Sequence, residues 1–182
     1  MIASRTPWRG LATAAALLLA LAGCGGKTEV GVLTCPKVFV VADASRYLDY
    51  APGAGRDMLD LRYDAQIVNV EWLCNFFVEE KRVETEVRFG MRAQKGPAGT
   101  ESQHRFPYFV AVADPQGNII AKQVFGVDIG FLGNATDIGH IESVYHRFNY
   151  SSIADAARYT IYIGFQLTQE QLAEVRAGDA GL

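Results

Sequence analysis

The chain has 182 residues, 49% of them hydrophobic and 20% charged, with a formal net charge of −3. So mild an acidity argues against nucleic acid or an anionic lipid surface as the electrostatic partner. No internal repeat or low-complexity tract interrupts the chain, and the length beyond the N-terminal region suits one domain with a substantial core.

The first element is apolar. Arg5 and Arg9 precede residues 11–22, an almost unbroken run of Leu and Ala, and Ala22 and Gly23 close it. These twelve positions, broken only by Thr13, span only ~18 Å as a helix, well short of a ~30 Å hydrocarbon core. A positive end, a short apolar middle and a small-residue exit predict a secretory signal peptide over residues 1–23. The stretch Leu21-Ala22-Gly23-Cys24 also resembles the bacterial lipobox, Leu-Ala/Ser-Gly/Ala-Cys. That resemblance implies cleavage before Cys24, a diacylglycerol on its thiol and acylation of the new amino group. The alternative is an ordinary cleavable signal with a chance cysteine. Each buried CH₂ contributes ~0.8 kcal/mol, so two or three acyl chains, palmitate among them, make a lasting anchor. Gly25 follows, not the aspartate that retains such lipoproteins at the inner membrane, so the resemblance points to the periplasmic face of the outer membrane. Residues 24–34 form the lipidated tether, and its ten residues after Cys24 reach at most ~35 Å.

Loss of Arg5 and Arg9 takes the formal charge from −3 to −5. With Cys24 consumed, Cys35 and Cys74 remain as an even pair, and in an oxidising compartment a disulfide between them is the economical reading. It closes a loop of ~40 residues, worth ~4 kcal/mol on chain-entropy grounds. Two buried free thiols are the alternative. Neither cysteine has a Cys or His at metal-ligand spacing.

From here the chain is written in period two. Residues 37–42, KVFVVA, read as a nearly continuous apolar strand. Residues 66–74 place Val68, Val70, Trp72 and Cys74 on one face. Residues 83–91 alternate cleanly, with Val83, Thr85, Val87, Phe89 and Met91 opposite Glu84, Glu86 and Arg88. Glu79-Glu80-Lys81 is the hairpin tip between these two strands, with Phe76 and Phe77 beside it as core packing or an exposed contact patch. Residues 108–113 and 118–127 flank Asp114-Pro115-Gln116-Gly117, where proline suits the second turn position and glycine the positive φ. Two more strands are predicted over 141–150 and 159–167, the last with Tyr159, Ile161, Ile163, Phe165 and Leu167 on one face. A helix over 169–177 closes the chain, capped by Thr168 with Gln171 completing a capping box and Leu167 and Leu172 spaced as a staple.

Seven short strands, a cysteine pair and little helix predict an all-β fold. The expected form is an immunoglobulin- or fibronectin-like antiparallel β-sandwich over residues 35–182 with a short C-terminal helix. A small closed β-barrel around a ligand is the alternative.

Candidate chemistry is sparse. His104, His140 and His146 show no two-histidine spacing, and His146 between Val144 and Phe148 reads as a packing residue. The serine-hydrolase elbow is missing from the sequence. Asp57, Asp60 and Asp64 lack EF-hand spacing and read as solvated loop acids. PGAGRD at 52–57 lacks the later glycine and lysine of a phosphate loop, and reads as a Gly-rich turn fixed by an Arg–Asp pair. Asn134-Ala135-Thr136 reads as a surface crossing.

Cys24, Cys35-Pro36, PGAGRD, PYFVAVADPQGNIIAK at 107–122 and GFQLTQEQL at 164–172 together resemble a family of uncharacterised envelope lipoproteins of Gram-negative bacteria. The resemblance covers most of the chain after Cys24 and carries no catalytic residue or cofactor. It implies a membrane anchor on Cys24. The sequence reading adds an envelope protein as partner, with a small-ligand or lipid-binding barrel as the second functional expectation.

Overall fold

The computed structural model describes residues 33–53 and 55–179. The predicted signal peptide, Cys24 and most of the tether lie outside the described residues. Eight strands form among those described: β1 (Lys37–Val40), β2 (Arg46–Tyr50), β3 (Leu61–Phe77), β4 (Arg82–Lys95), β5 (Gln103–Ala113), β6 (Ile119–Gly130), β7 (Asp137–Asn149) and β8 (Thr160–Phe165). Two α-helices, α1 (Ile153–Ala156) and α2 (Gln169–Asp179), and a 3-10 turn at Ala42–Ala44 accompany them. The strands build two four-stranded sheets, ordered β1-β8-β5-β6 and β2-β3-β4-β7. All pairings are antiparallel except β1 with β8, which run parallel.

The sheets are joined by packing and not by a shared ladder, so the fold is a β-sandwich with a short C-terminal helix, as expected. The closed barrel is overturned. No ladder connects β6 to β7 or β1 to β2, and the space between the sheets is filled by side chains. Val83, Val87, Phe106, Val110, Ile161 and Ile163 are fully buried there, which is how a sandwich core packs. A ligand-holding barrel interior is lost with it.

Cys35 and Cys74 are bonded (Cα–Cα 5.7 Å). The bridge ties the segment entering β1 to β3, one sheet to the other. The β3–β4 turn falls at residues 78–81 with Lys81 at φ 49°. The β5–β6 turn is built as read: Gly117 has φ 88°, and the Asp114 carboxylate accepts from the Gln116 and Asn118 amides at 2.9 and 2.8 Å. Residues 131–136 cross from one sheet to the other between β6 and β7. The α2 capping box is reciprocal: the Thr168 amide donates to Gln171 Oε1 at 3.0 Å, and the Gln171 amide to Thr168 Oγ1 at 3.2 Å. Val175 then buries itself against Leu48 and Leu61.

Two differences from the sequence reading have clear causes. β2 is an added strand, and β3 starts at Leu61, so Asp64 belongs to a strand and not to a loop. Its carboxylate is held by Arg46 of β2 at 3.0 and 2.6 Å. Secondly, β3 carries a bulge, with a register shift between Val68 and Val70 and Asn69 at φ 51°. A bulge inserts one residue and reverses the facing of what precedes it. Val70 and Cys74 face inward with Ile67, Ala65 and Tyr63 and pack on the core, Trp72 shares their register but stays 38% exposed, and Val68 faces out beside Gly90.

The registers give the sandwich two distinct ends. The β3–β4 turn, the β5–β6 turn, α1, the start of β8 and the disulfide share one end. The opposite end carries α2, the 51–60 connection and the 131–136 crossing.

Candidate functional site

The histidines resolve into three environments. His104 stacks on Tyr63 (centroids 3.9 Å) and meets Phe106 edge-on (4.7 Å), and its Nε2 shares a hydrogen bond with Tyr47 Oη at 3.2 Å. Burial lowers its pKa. No carboxylate hydrogen-bonds it among the described residues, so it is an inter-sheet aromatic packing group. His146 packs between the sheets beside Phe148, and burial lowers its pKa too. Its Nε2 finds no hydrogen-bond partner among the described residues, and neither does Oγ1 of Thr85, the residue directly across the ladder. The packing role read for His146 holds, but the nitrogen is unsatisfied.

His140 is the histidine that does find an acid. It and Glu142 lie two residues apart on the inward face of β7, with Nε2 donating to Oε2 at 3.0 Å. The other carboxylate oxygen accepts from Tyr108 Oη of the opposite sheet at 2.9 Å. Tyr108 is buried and stacked on Phe125 (centroids 5.3 Å). Burial, and then the hydrogen bond to Glu142, push its hydroxyl well above the ordinary tyrosine range. A phenol held this firmly protonated is a hydrogen-bond donor and not a base. The chain of three ties the sheets together on their open β6–β7 side. The alternating spacing of His140 and Glu142 is visible in sequence; Tyr108, from the other sheet, is not.

The loop acids do not converge. Asp57 caps its own turn through the Leu59 amide at 2.7 Å, Asp64 is taken by Arg46, and no metal-binding cluster forms among the described residues. Arg56 does not pair with Asp57 as the sequence suggested. It reaches α2, binding Glu170 and Glu174, and it donates to the Gly53 and Gly55 carbonyls at 3.3 and 2.7 Å. The groove between this loop, β2 and α2 holds about 470 Å³. Its charges are already matched to one another: Arg56 to the two helix glutamates, and Arg62 to Asp49 at 3.6 Å.

The surface with unmatched character is the outer face of the β2-β3-β4-β7 sheet. Glu84, Glu86, Arg88 and Arg92 make most of it polar, but a shallow apolar depression of about 520 Å³ opens around Gly90 and Gly139. The β3 bulge creates it: a Cβ on Gly90 would lie 2.9 Å from the Val68 carbonyl oxygen, so the floor stays bare. Val68 and Ile141 flank it, and Ile141 is 66% exposed. Further along the same face, Leu73 and Tyr145 stand out at 69% and 73%, opposite each other across Glu86. The polar rim is fixed. Arg92 binds Asp137, Gln94 Nε2 donates to the same carboxylate at 3.0 Å, and the Arg92 bond foremost holds the Asp137 pKa below its ordinary value. An apolar floor with a locked polar rim is how the core and margin of protein interfaces are built.

No protein-family model, curated protein or solved structure matches the chain.

Proposed function

We propose that this chain is a lipid-anchored protein of the Gram-negative envelope, held at the periplasmic face of the outer membrane by acyl chains on Cys24. Its β-sandwich is a non-enzymatic module that binds another envelope protein. The observation that carries the binding role is the exposed apolar face formed by Val68, Gly90 and Ile141, with Tyr145 and Leu73 beyond. Its open, shallow shape suits a protein side chain better than a metabolite, which needs burial of most of its surface. The Cys35–Cys74 bridge supports an exported location, since such bonds persist in oxidising compartments. The lipobox resemblance supports the anchor.

The test is crosslinking in intact cells at native abundance, then purification through a C-terminal tag. A discrete protein adduct is expected, and Ile141→Asp, which alters an exposed side chain and no core contact, should abolish it. Recovery of the lone chain from wild-type cells would end the binding-module reading.

A further inference from the structure

Exposed large apolar side chains stand at both ends of the sandwich, Met58, Leu59 and Leu132 at the α2 end and a larger group where the chain enters. Phe77 and Val78 stand at the β3–β4 turn, and Ile119 and Ile120 follow the β5–β6 turn. Ile153 of α1 adds to them. Cys35 is bonded to Cys74 only three positions before β3 ends, so the disulfide fastens the tether to this same end. Its charges cancel: Lys37, Lys81, Arg82 and Arg158 stand against Glu79, Glu80, Asp114 and Asp155. The acidity of the domain therefore lies elsewhere.

Chain length decides what can reach this end. The ten tether residues after Cys24 have a mean span of ~18 Å as a flexible linker. β3 alone, at 17 residues, runs ~55 Å along the sandwich. Anchored through Cys24, the domain keeps its disulfide end beside the bilayer, and an upright sandwich holds its α2 end beyond the tether's reach. Resting on the lipid-anchor reading, we propose that the β3–β4 and β5–β6 turns form a second membrane contact. In it their apolar side chains dip into the headgroup region of the same phospholipid bilayer, and the domain stands end-on with α2 outermost. Neutral charge with exposed Phe, Val and Ile side chains suits a zwitterionic interface, which apolar side chains enter at headgroup depth.

Of the two tryptophans, Trp8 leaves with the signal peptide and Trp72 lies six positions before Val78, ~20 Å up the strand, so a Trp72→Phe/Phe77→Trp variant places the reporter at the turn itself. The acylated variant, purified from membranes, is placed in vesicles of phosphatidylcholine brominated along its acyl chains, with the unbrominated lipid as reference, and mass spectrometry reads Cys24. Its emission should fall by about half in the brominated vesicles if the turn enters the interface. In a Trp72→Phe/Leu132→Trp variant, with the reporter at the 131–136 crossing, emission should not change. Val78→Glu with Ile120→Glu should relieve the quenching of the turn reporter, a second check that needs no far-end reporter. An acylated Cys24 with an unquenched turn reporter, or with both reporters quenched alike, overturns the end-on contact and leaves the anchor standing. An unmodified Cys24 overturns the anchor and the contact with it.

Discussion

Glu142→Leu isolates the inter-sheet chain of Tyr108, Glu142 and His140. The substitution removes the acceptor of the Tyr108 hydroxyl, which donates at 2.9 Å from a side chain only 1% exposed. A buried donor left without its acceptor costs about 1–3 kcal/mol. His140, on the partly open side of the carboxylate, regains water and adds little. Glu142→Gln keeps an acceptor oxygen for Tyr108 and should cost clearly less. Tyr108→Phe removes the donor, and combined with Glu142→Leu it should add almost nothing, giving a coupling of ~1–2 kcal/mol across the double-mutant cycle. Equilibrium urea unfolding under non-reducing conditions, with unchanged m-values, is the assay. The direction with pH is also set. A tyrosine whose folded pKa is raised stabilises the fold below its unfolded pKa of about 10, and that stability drains away as pH climbs from there toward the folded value. Glu142→Leu should flatten this alkaline slope. Equal losses from the Leu and Gln substitutions, together with no coupling, would refute the hydrogen-bonded tie and leave ordinary side-chain packing.

Reducing the Cys35–Cys74 bridge, whose cysteines are 39 positions apart, should cost ~4 kcal/mol by loop entropy, read as a lowered urea midpoint; an unmoved midpoint would mean that the bridge constrains nothing. Acid should weaken the fold from the side of the buried imidazoles. Burial lowers the folded pKa of His104 and His146, so as pH falls below the unfolded value of ~6.5 the unfolded chain takes up protons the folded chain refuses, at up to ~1.4 kcal/mol per pH unit for each ring. His146→Leu should remove part of that slope, as measured by thermal unfolding across the acid range; an unchanged slope would show that His146 is protonated in place.

Legibility followed the range of the physics. The alternation of Val83, Thr85, Val87, Phe89 and Met91 was readable because a strand with one wet face repeats every two residues, and all five are buried. The DPQG turn and the Thr168–Gln171 capping box were readable because their hydrogen bonds close within a few residues. The first half of β3 carried the same alternation, Leu61, Tyr63, Ala65 and Ile67, but Asp57, Asp60 and Asp64 made it resemble a polar loop. What allows Asp64 there is Arg46, 18 positions away. The bulge at Asn69 was hidden for a related reason. Nothing local marks it, and it is seen only in the ladder with β4, where Val68 and Val70 lose their common face.

By itself the sequence determined the strand character, two of the turns, the helix cap and a cysteine pair available for bonding. Each of these is a property of neighbouring residues or of composition. Tertiary structure alone decided that the sheets stack as an open sandwich and not a barrel. It alone brought Tyr108 to Glu142 and sent Arg56 to α2 in preference to Asp57. It alone left Gly90 bare beneath a bulge to make the apolar face. These depend on which side chains meet from distant parts of the chain, and that is set by the summed packing of a whole core, which no local spacing records.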